Sequence, residues 1–150
     1  MAKVLLVDDD PIVLESLSLS LGDEGYTVTT ATSGQQAIEL CRQQDFEAVV
    51  CDIRMPGMNG IQTLQAIKKI HPAMRTIVIT GYADDIDTPM EAIRLGVDDY
   101  LLKPFDNEML LHSLAQNVAR FRLQAENLRL YEELKDANAR LTQENVQLKR

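Results

Sequence analysis

Five short apolar runs rich in β-formers punctuate the first two thirds of the 150-residue chain, at Val4–Val7, Tyr26–Thr30, Ala48–Cys51, Thr76–Ile79 and Tyr100–Leu102. Helix-periodic stretches fill the gaps. Pro11–Leu21 repeats apolar residues at Ile12/Val13, Leu17 and Leu21; Gln35–Cys41 carries Ala37, Ile38, Leu40 and Cys41; Ile61–Ile70 places Ile61, Leu64, Ile67 and Ile70 on one face. Strands that alternate with helices form a parallel sheet covered on both faces, an α/β fold of five strands.

Local signals agree with that alternation. Asp10 before Pro11 fits an N-cap with proline at the first helical position. Ser33 with Gln36, and Thr88 with Glu91, have capping-box spacing, the second followed by Pro89. Asn59 is placed to cap the third helix, and Gly96 to follow the fourth.

In such sheets the site lies beyond the carboxyl ends of the strands, near the switch in strand order. Asp8 and Asp9 follow the first run, Asp52 the third, Thr80 the fourth and Lys103 the fifth, so four polar positions converge on one rim. Three carboxylates crowded there need compensation. Mg²⁺ supplies it, being an oxygen-seeking cation that takes one or two carboxylates plus waters and phosphate oxygens. An acceptor carboxylate, a metal, an ammonium and a hydroxyl together suit phosphoryl transfer, with aspartate itself as nucleophile.

The charge balance narrows the function classes. Net charge is −8; residues 1–120 hold 9 Lys+Arg against 18 Asp+Glu, and residues 121–150 hold 6 against 5. Such a surface does not grip nucleic-acid phosphates, which need clustered basic side chains. Cys41 and Cys51 form no CxxC pair and are read as reduced thiols, with Cys51 buried and the cytoplasm as the compartment. No signal peptide or run of membrane-spanning length is visible. Met55 and Met58 read as loop packing, and His71 and His112 lie away from the rim.

Asp106–Arg150 contains neither Gly nor Pro, and a helix along it would reach on the order of 65 Å. Its second half repeats Tyr131, Leu134, Asn138, Leu141, Asn145 and Leu148 at spacings of 3, 4, 3, 4 and 3. An earlier set, Leu111, Leu114, Val118, Phe121, Ala125 and Leu128, has the same rhythm but joins the second by a step of 3 where 4 is expected. The break implies a change in winding or a boundary between packing surfaces. The later set reads as the seam of a parallel homodimer, with Asn138 and Asn145 fixing register; packing of the tail back on its own domain is the alternative.

"VLLVDDDP", "VVCDIRMPGMNG", "IVITGYA" and "DDYLLKPF" resemble the signature segments of bacterial response-regulator receiver domains, over about residues 3–120. The resemblance implies a doubly wound, flavodoxin-like (βα)5 receiver over residues 1–120, followed by a helical coiled-coil segment over 121–150. It implies that Asp52 is the phospho-acceptor for a sensor histidine kinase. It also implies that Asp8, Asp9, Asp52 and the Arg54 backbone carbonyl hold Mg²⁺, that Thr80 and Lys103 contact the phosphoryl group, and that Tyr100 is the switch aromatic. A cis Lys103–Pro104 bond goes with it, as do Arg54 and Tyr82 flanking the path of attacking water. The chain would then be a switch, not an enzyme acting on an outside metabolite, whose fourth helix, fifth strand and last helix form the responding face. Its output would lie either in an effector domain beyond Arg150 or in the chain itself, acting through its helix. Thr80 to Lys103 spans 23 positions, one more than expected of a chemotaxis-type receiver, with "ADDIDTP" absorbing the extra residue. Two rivals remain at this level. A Mg²⁺-dependent phosphatase would use a DxD pair, a spacing that Asp8 and Asp10 share, and a coiled-coil scaffold would carry an inert receiver fold.

Overall fold

The computed structural model describes residues 2–81 and 96–148, with backbone alone for 144–148. The chain runs β1 (Lys3–Val7), α1 (Pro11–Asp23), β2 (Thr27–Ala31), α2 (Gly34–Gln43), β3 (Ala48–Asp52), α3 (Gly60–Ile70), β4 (Arg75–Gly81), β5 (Asp99–Lys103) and α4 (Asn107–Leu148). The five strands form one all-parallel sheet in the order β2-β1-β3-β4-β5. The order reverses between β1 and β3, so the crevice of the doubly wound fold opens at their carboxyl ends.

The pleat divides the apolar runs into two cores. Leu5, Val7, Val49, Cys51 and Val78 face α2 and α3, meeting Ala37, Ile38, Leu64 and Ile67. Val4, Leu6, Val50, Ile77 and Ile79 face the other way, against Leu14, Leu17 and Leu21 of α1 and Leu110, Leu114 and Val118 of α4. Strands buried on both faces have no need of alternation, which is why β1 and β3 read as unbroken apolar runs.

Helix starts are set by short polar side chains. Asp10 accepts the Ile12 N–H at 3.0 Å, ahead of Pro11. Asn59 and Gln62 form a complete capping box on α3, at 2.9 and 3.0 Å. The box expected at Ser33 is incomplete. Ser33 accepts from the Gln36 N–H at 3.2 Å, but the Gln36 carboxamide reaches past it to the Thr32 N–H at 2.8 Å. The second strand begins one residue later than its apolar run, because the Tyr26 N–H is spent on the Leu21 carbonyl in closing the α1–β2 turn. Gly96 has a φ of +75°, as a residue just past a helix end would. Thr88, Pro89, Glu91 and "ADDIDTP" lie outside the described residues.

α4 is 42 residues long and unbroken across the step in its heptad rhythm. The break instead marks a change of surroundings. Leu114 and Val118 are buried, Leu111 and Phe121 half-buried, and from Arg122 to Gln143 all but half-buried Ala137 are exposed. Packing of the tail onto its own domain is therefore not seen beyond Arg122, from Leu123 to Gln143.

Polar contacts fix how α4 sits on the sheet. Ser113 Oγ donates to Asp99 Oδ2 at 2.5 Å. Asn117 accepts from Arg75 Nε at 3.1 Å and donates to the Ser113 carbonyl at 2.8 Å. Arg75 also pairs with Asp98 at 3.3 Å, and Arg122 pairs with Glu47 at 3.2 Å. No helix among the described residues is long and apolar enough to cross a membrane.

Candidate functional site

Strand register assembles the rim. Val7 pairs with Cys51, so Asp8 and Asp52 follow at the same level on adjacent strands, a spacing of about 5 Å. Asp52 pairs with Ile79, which brings Thr80 one step beyond it, and Gly81 pairs with Lys103. One carboxylate oxygen from each of Asp8, Asp9 and Asp52 lies within 4.8 Å of the other two. Asp8 and Asp52 are 5% exposed, Thr80 is 2% exposed, and Asp9 faces solvent. The buried pair defines the floor and Asp9 the open side.

Each oxygen of Asp52 has a partner: Oδ1 accepts the Arg54 N–H at 3.1 Å, and Oδ2 takes Lys103 Nζ at 3.0 Å. Asp8 Oδ1 accepts the Asp10 N–H at 2.9 Å. Burial, with the charge of Asp52 adding to it, pushes the Asp8 carboxyl up to about 6 against the Asp10 N–H and the Lys103 ammonium, which pull the other way. Among the described residues, the carboxylates of Asp8, Asp9 and Asp52 crowd together beside the Lys103 ammonium, which concentrates negative charge at the rim. The oxygen-only donor set fits a hard divalent cation such as Mg²⁺.

Asp10 does not join the cluster. Its side chain is exposed and committed to the α1 cap, so the DxD spacing that raised the phosphatase reading is not realised as a carboxylate pair. Tyr100 pairs with Val78, below the rim on edge strand β5, and is 42% exposed. The Lys103–Pro104 bond is cis. Tyr131, Leu134, Asn138 and Leu141 all lie on the exposed part of α4, while Asn145 and Leu148 fall where only backbone is described.

Cys41 and Cys51 are free and buried, and burial pushes both thiols up, Cys41 to about 11. Met55 is buried and Met58 packs beside it in the core under α2 and α3. His71 caps α3, its Nε2 lying 2.6 Å from the Cys41 carbonyl, and His112 is exposed on α4.

The residues alone did not single out Gly60. It opens α3 against the end of β3, where a Cβ would stand 2.3 Å from the Asp52 carbonyl oxygen. Only glycine lets the helix start that close to the Asp52 backbone. The available signal was the helix start at "MNG", six to eight residues after Asp52.

Comparison with known proteins agrees with this geometry. Residues 4–115 match the family model of the response regulator receiver domain. The chain is 41% identical over 116 residues to the transcriptional regulatory protein ZraR of Escherichia coli (strain K12), an alignment covering 77% of this chain and 26% of that protein. It is 33% identical over 148 residues to the putative response regulator NtrX-like of Rickettsia conorii, covering 97% of this chain and 31% of that protein. The chain thus spans about a quarter to a third of the length of these relatives. The CheY-like response regulator receiver domain protein of Methanospirillum hungatei JF-1 superposes with a TM-score of 0.79 at 28% identity, covering 83% of this chain and 98% of that one.

Proposed function

The chain belongs to the response regulator receiver family of two-component systems, and from that premise we propose that Asp52 is its phospho-acceptor, taking the phosphoryl group from the phosphohistidine of a sensor histidine kinase. One observation carries the assignment: Asp52 is the buried carboxylate that meets both the acidic cluster and the Lys103 ammonium, 3.0 Å away. In the reaction a carboxylate oxygen of Asp52 forms a P–O bond as the P–N bond to the donor imidazole breaks, and the imidazole leaves with the electron pair. Lys103 offsets charge on the phosphoryl oxygens, and the Thr80 hydroxyl donates to one of them. Asp8, Asp9, Asp52 and the Arg54 carbonyl would hold Mg²⁺, which when bound screens negative charge between acceptor and donor.

On this reading the chain switches; it does not turn over an outside metabolite. Thr80 and Tyr100 carry the change to β5 and α4. Residues 1–120 form the receiver unit. Residues 121–150 form a dimerising helix in which Tyr131, Leu134, Asn138, Leu141, Asn145 and Leu148 meet a second copy; the exposure of Tyr131, Leu134 and Leu141 at 65, 60 and 56% supports this. The greater length of the relatives supports an effector domain after the helix. Buried reduced cysteines fit a cytoplasmic setting, and the acidic balance leaves no role for this chain in direct contact with nucleic acid.

The test is intact-mass measurement after incubation with a small phosphodonor, with and without Mg²⁺. The expected result is one added phosphoryl group that requires the metal and is lost in Asp52→Asn. Equal labelling of that variant would overturn the assignment.

A further inference from the structure

The exposed leucines of α4 do not continue the stripe that holds the helix to its own sheet. At about 100° per residue, Leu123, Leu130, Leu134 and Leu141 fall within roughly 40° of one another around the axis. Asn127 and Asn138 lie on one edge of that stripe, with Tyr131 beside them. The residues seated against the sheet, Leu110, Leu114, Asn117, Val118 and Phe121, centre about 160° away from those leucines by the same count. Leu128 continues this second stripe into solvent. Leu123 and Leu128 are equally exposed, at 60 and 59%, yet point in different directions.

Two further observations say what covers the outer stripe. Three charged side chains beside it are paired within the helix: Arg129 bridges Glu126 and Glu133, the latter at 2.8 Å, on the flank of the stripe opposite the asparagines. Asn127 and Asn138 each carry an amide that offers a donor and an acceptor. An identical asparagine facing it in register satisfies both, whereas an apolar ligand or an antiparallel helix sets leucine against it. A second copy of this chain, parallel and in register, fits the stripe.

We infer that the dimer seam on α4 is turned nearly half a turn from the domain-facing stripe, so that the two receiver bodies stand on the outer sides of the two-helix seam and leave it free along its length. The phase is fixed by directional contacts, Ser113 to Asp99, Asn117 to Arg75 and Arg122 to Glu47, and not by apolar packing alone. This rests on the dimer reading above and adds the face on which the dimer forms.

The test uses the full chain with one added cysteine for a spin label. Cys41 and Cys51 stay in place because both are buried and neither competes for the reagent. Leu123→Cys should give an inter-subunit distance shorter than Leu128→Cys by on the order of 10 Å, one helix diameter. Equal distances, or a shorter one at position 128, would overturn the assigned face while a dimer mass by light scattering keeps the dimer itself. A monomer for the unmodified chain at tens of micromolar would overturn both. Should a label at position 123 prevent association, disulfide formation by Leu134→Cys against Leu128→Cys reads the same phase. Several-fold faster linking at 134 is expected, and faster linking at 128 refutes the assignment.

Discussion

Replacing Asp8 with asparagine should stabilise the metal-free protein while removing the charge that a cation needs. The folded Asp8 carboxyl sits near 6, against an ordinary value of 3.8, because ionising it costs solvation and adds charge beside Asp52. A folded-state pKa above the unfolded one means that the native state binds more protons between the two values, so stability falls as pH rises through that window. The penalty is small below about pH 4 and complete above about pH 6. About two pH units of displacement correspond to about 3 kcal/mol, a ceiling shared with Asp52 and Lys103. Asparagine keeps an oxygen for the Asp10 N–H, now at 2.9 Å, so the substitution removes charge without orphaning the donor. For a domain of this size 1–3 kcal/mol is a rise of about 3–9 °C in Tm. The assay is thermal unfolding of both proteins in a chelator, at about pH 7.5 and about pH 4. Asp8→Asn should be the more stable at the higher pH, and the gap should largely close at the lower. Millimolar Mg²⁺ should then raise the Tm of the wild type and leave the variant nearly unmoved, since a ligand stabilises only the state that binds it. No gain at the higher pH, or an equal gain at both, would refute the account of Asp8 as a carboxylate held against its own charge.

Gly60→Ala should lose about 1–3 kcal/mol and most phospho-acceptance, since its Cβ would collide with the Asp52 carbonyl; urea unfolding and intact mass read the two effects. Asn117→Ala leaves Arg75 Nε without its acceptor and should cost about 1–3 kcal/mol with Mg²⁺ labelling of Asp52 retained; loss of labelling at unchanged stability would contradict a role in anchoring α4. Tyr82 lies outside the described residues, but the receiver resemblance sets it with Arg54 beside the path of attacking water, so Arg54→Ala combined with Tyr82→Ala should release the phosphoryl group faster; an unchanged half-life of the phosphorylated chain would count against that idea.

The rim was legible in the sequence because its members sit at the ends of apolar runs, and strand ends in a parallel sheet share one edge by construction. Asp8, Asp52, Thr80 and Lys103 needed only that rule and their order. The Asp98, Arg75, Asn117 and Ser113 contacts did not follow from it. Each residue is unremarkable locally, and partners 14 to 42 positions apart meet only after β4, β5 and α4 have packed. Gly60 was opaque for the same reason: its constraint is a contact with the Asp52 backbone, not a turn. At Ser33 the spacing was right, but Gln36 had a nearer donor in Thr32. The heptads of α4 were visible as rhythm. The boundary at which one stripe gives way to another shows only when burial is set beside the break.

The part of α4 beyond Arg122 makes the receiver a short handle on a long shaft. Twenty-six residues of helix, Leu123 to Leu148, project about 39 Å. A tilt of about 5° at the base moves the tip by about 3 Å, comparable to the small shifts that decide between two packings of an interface. Rotation acts differently: twist of the shaft about its own axis arrives at the tip undiminished but without gain. Whatever is joined to the far end therefore receives a magnified report of any bending at the Glu47–Arg122 fulcrum, and a one-to-one report of any twisting.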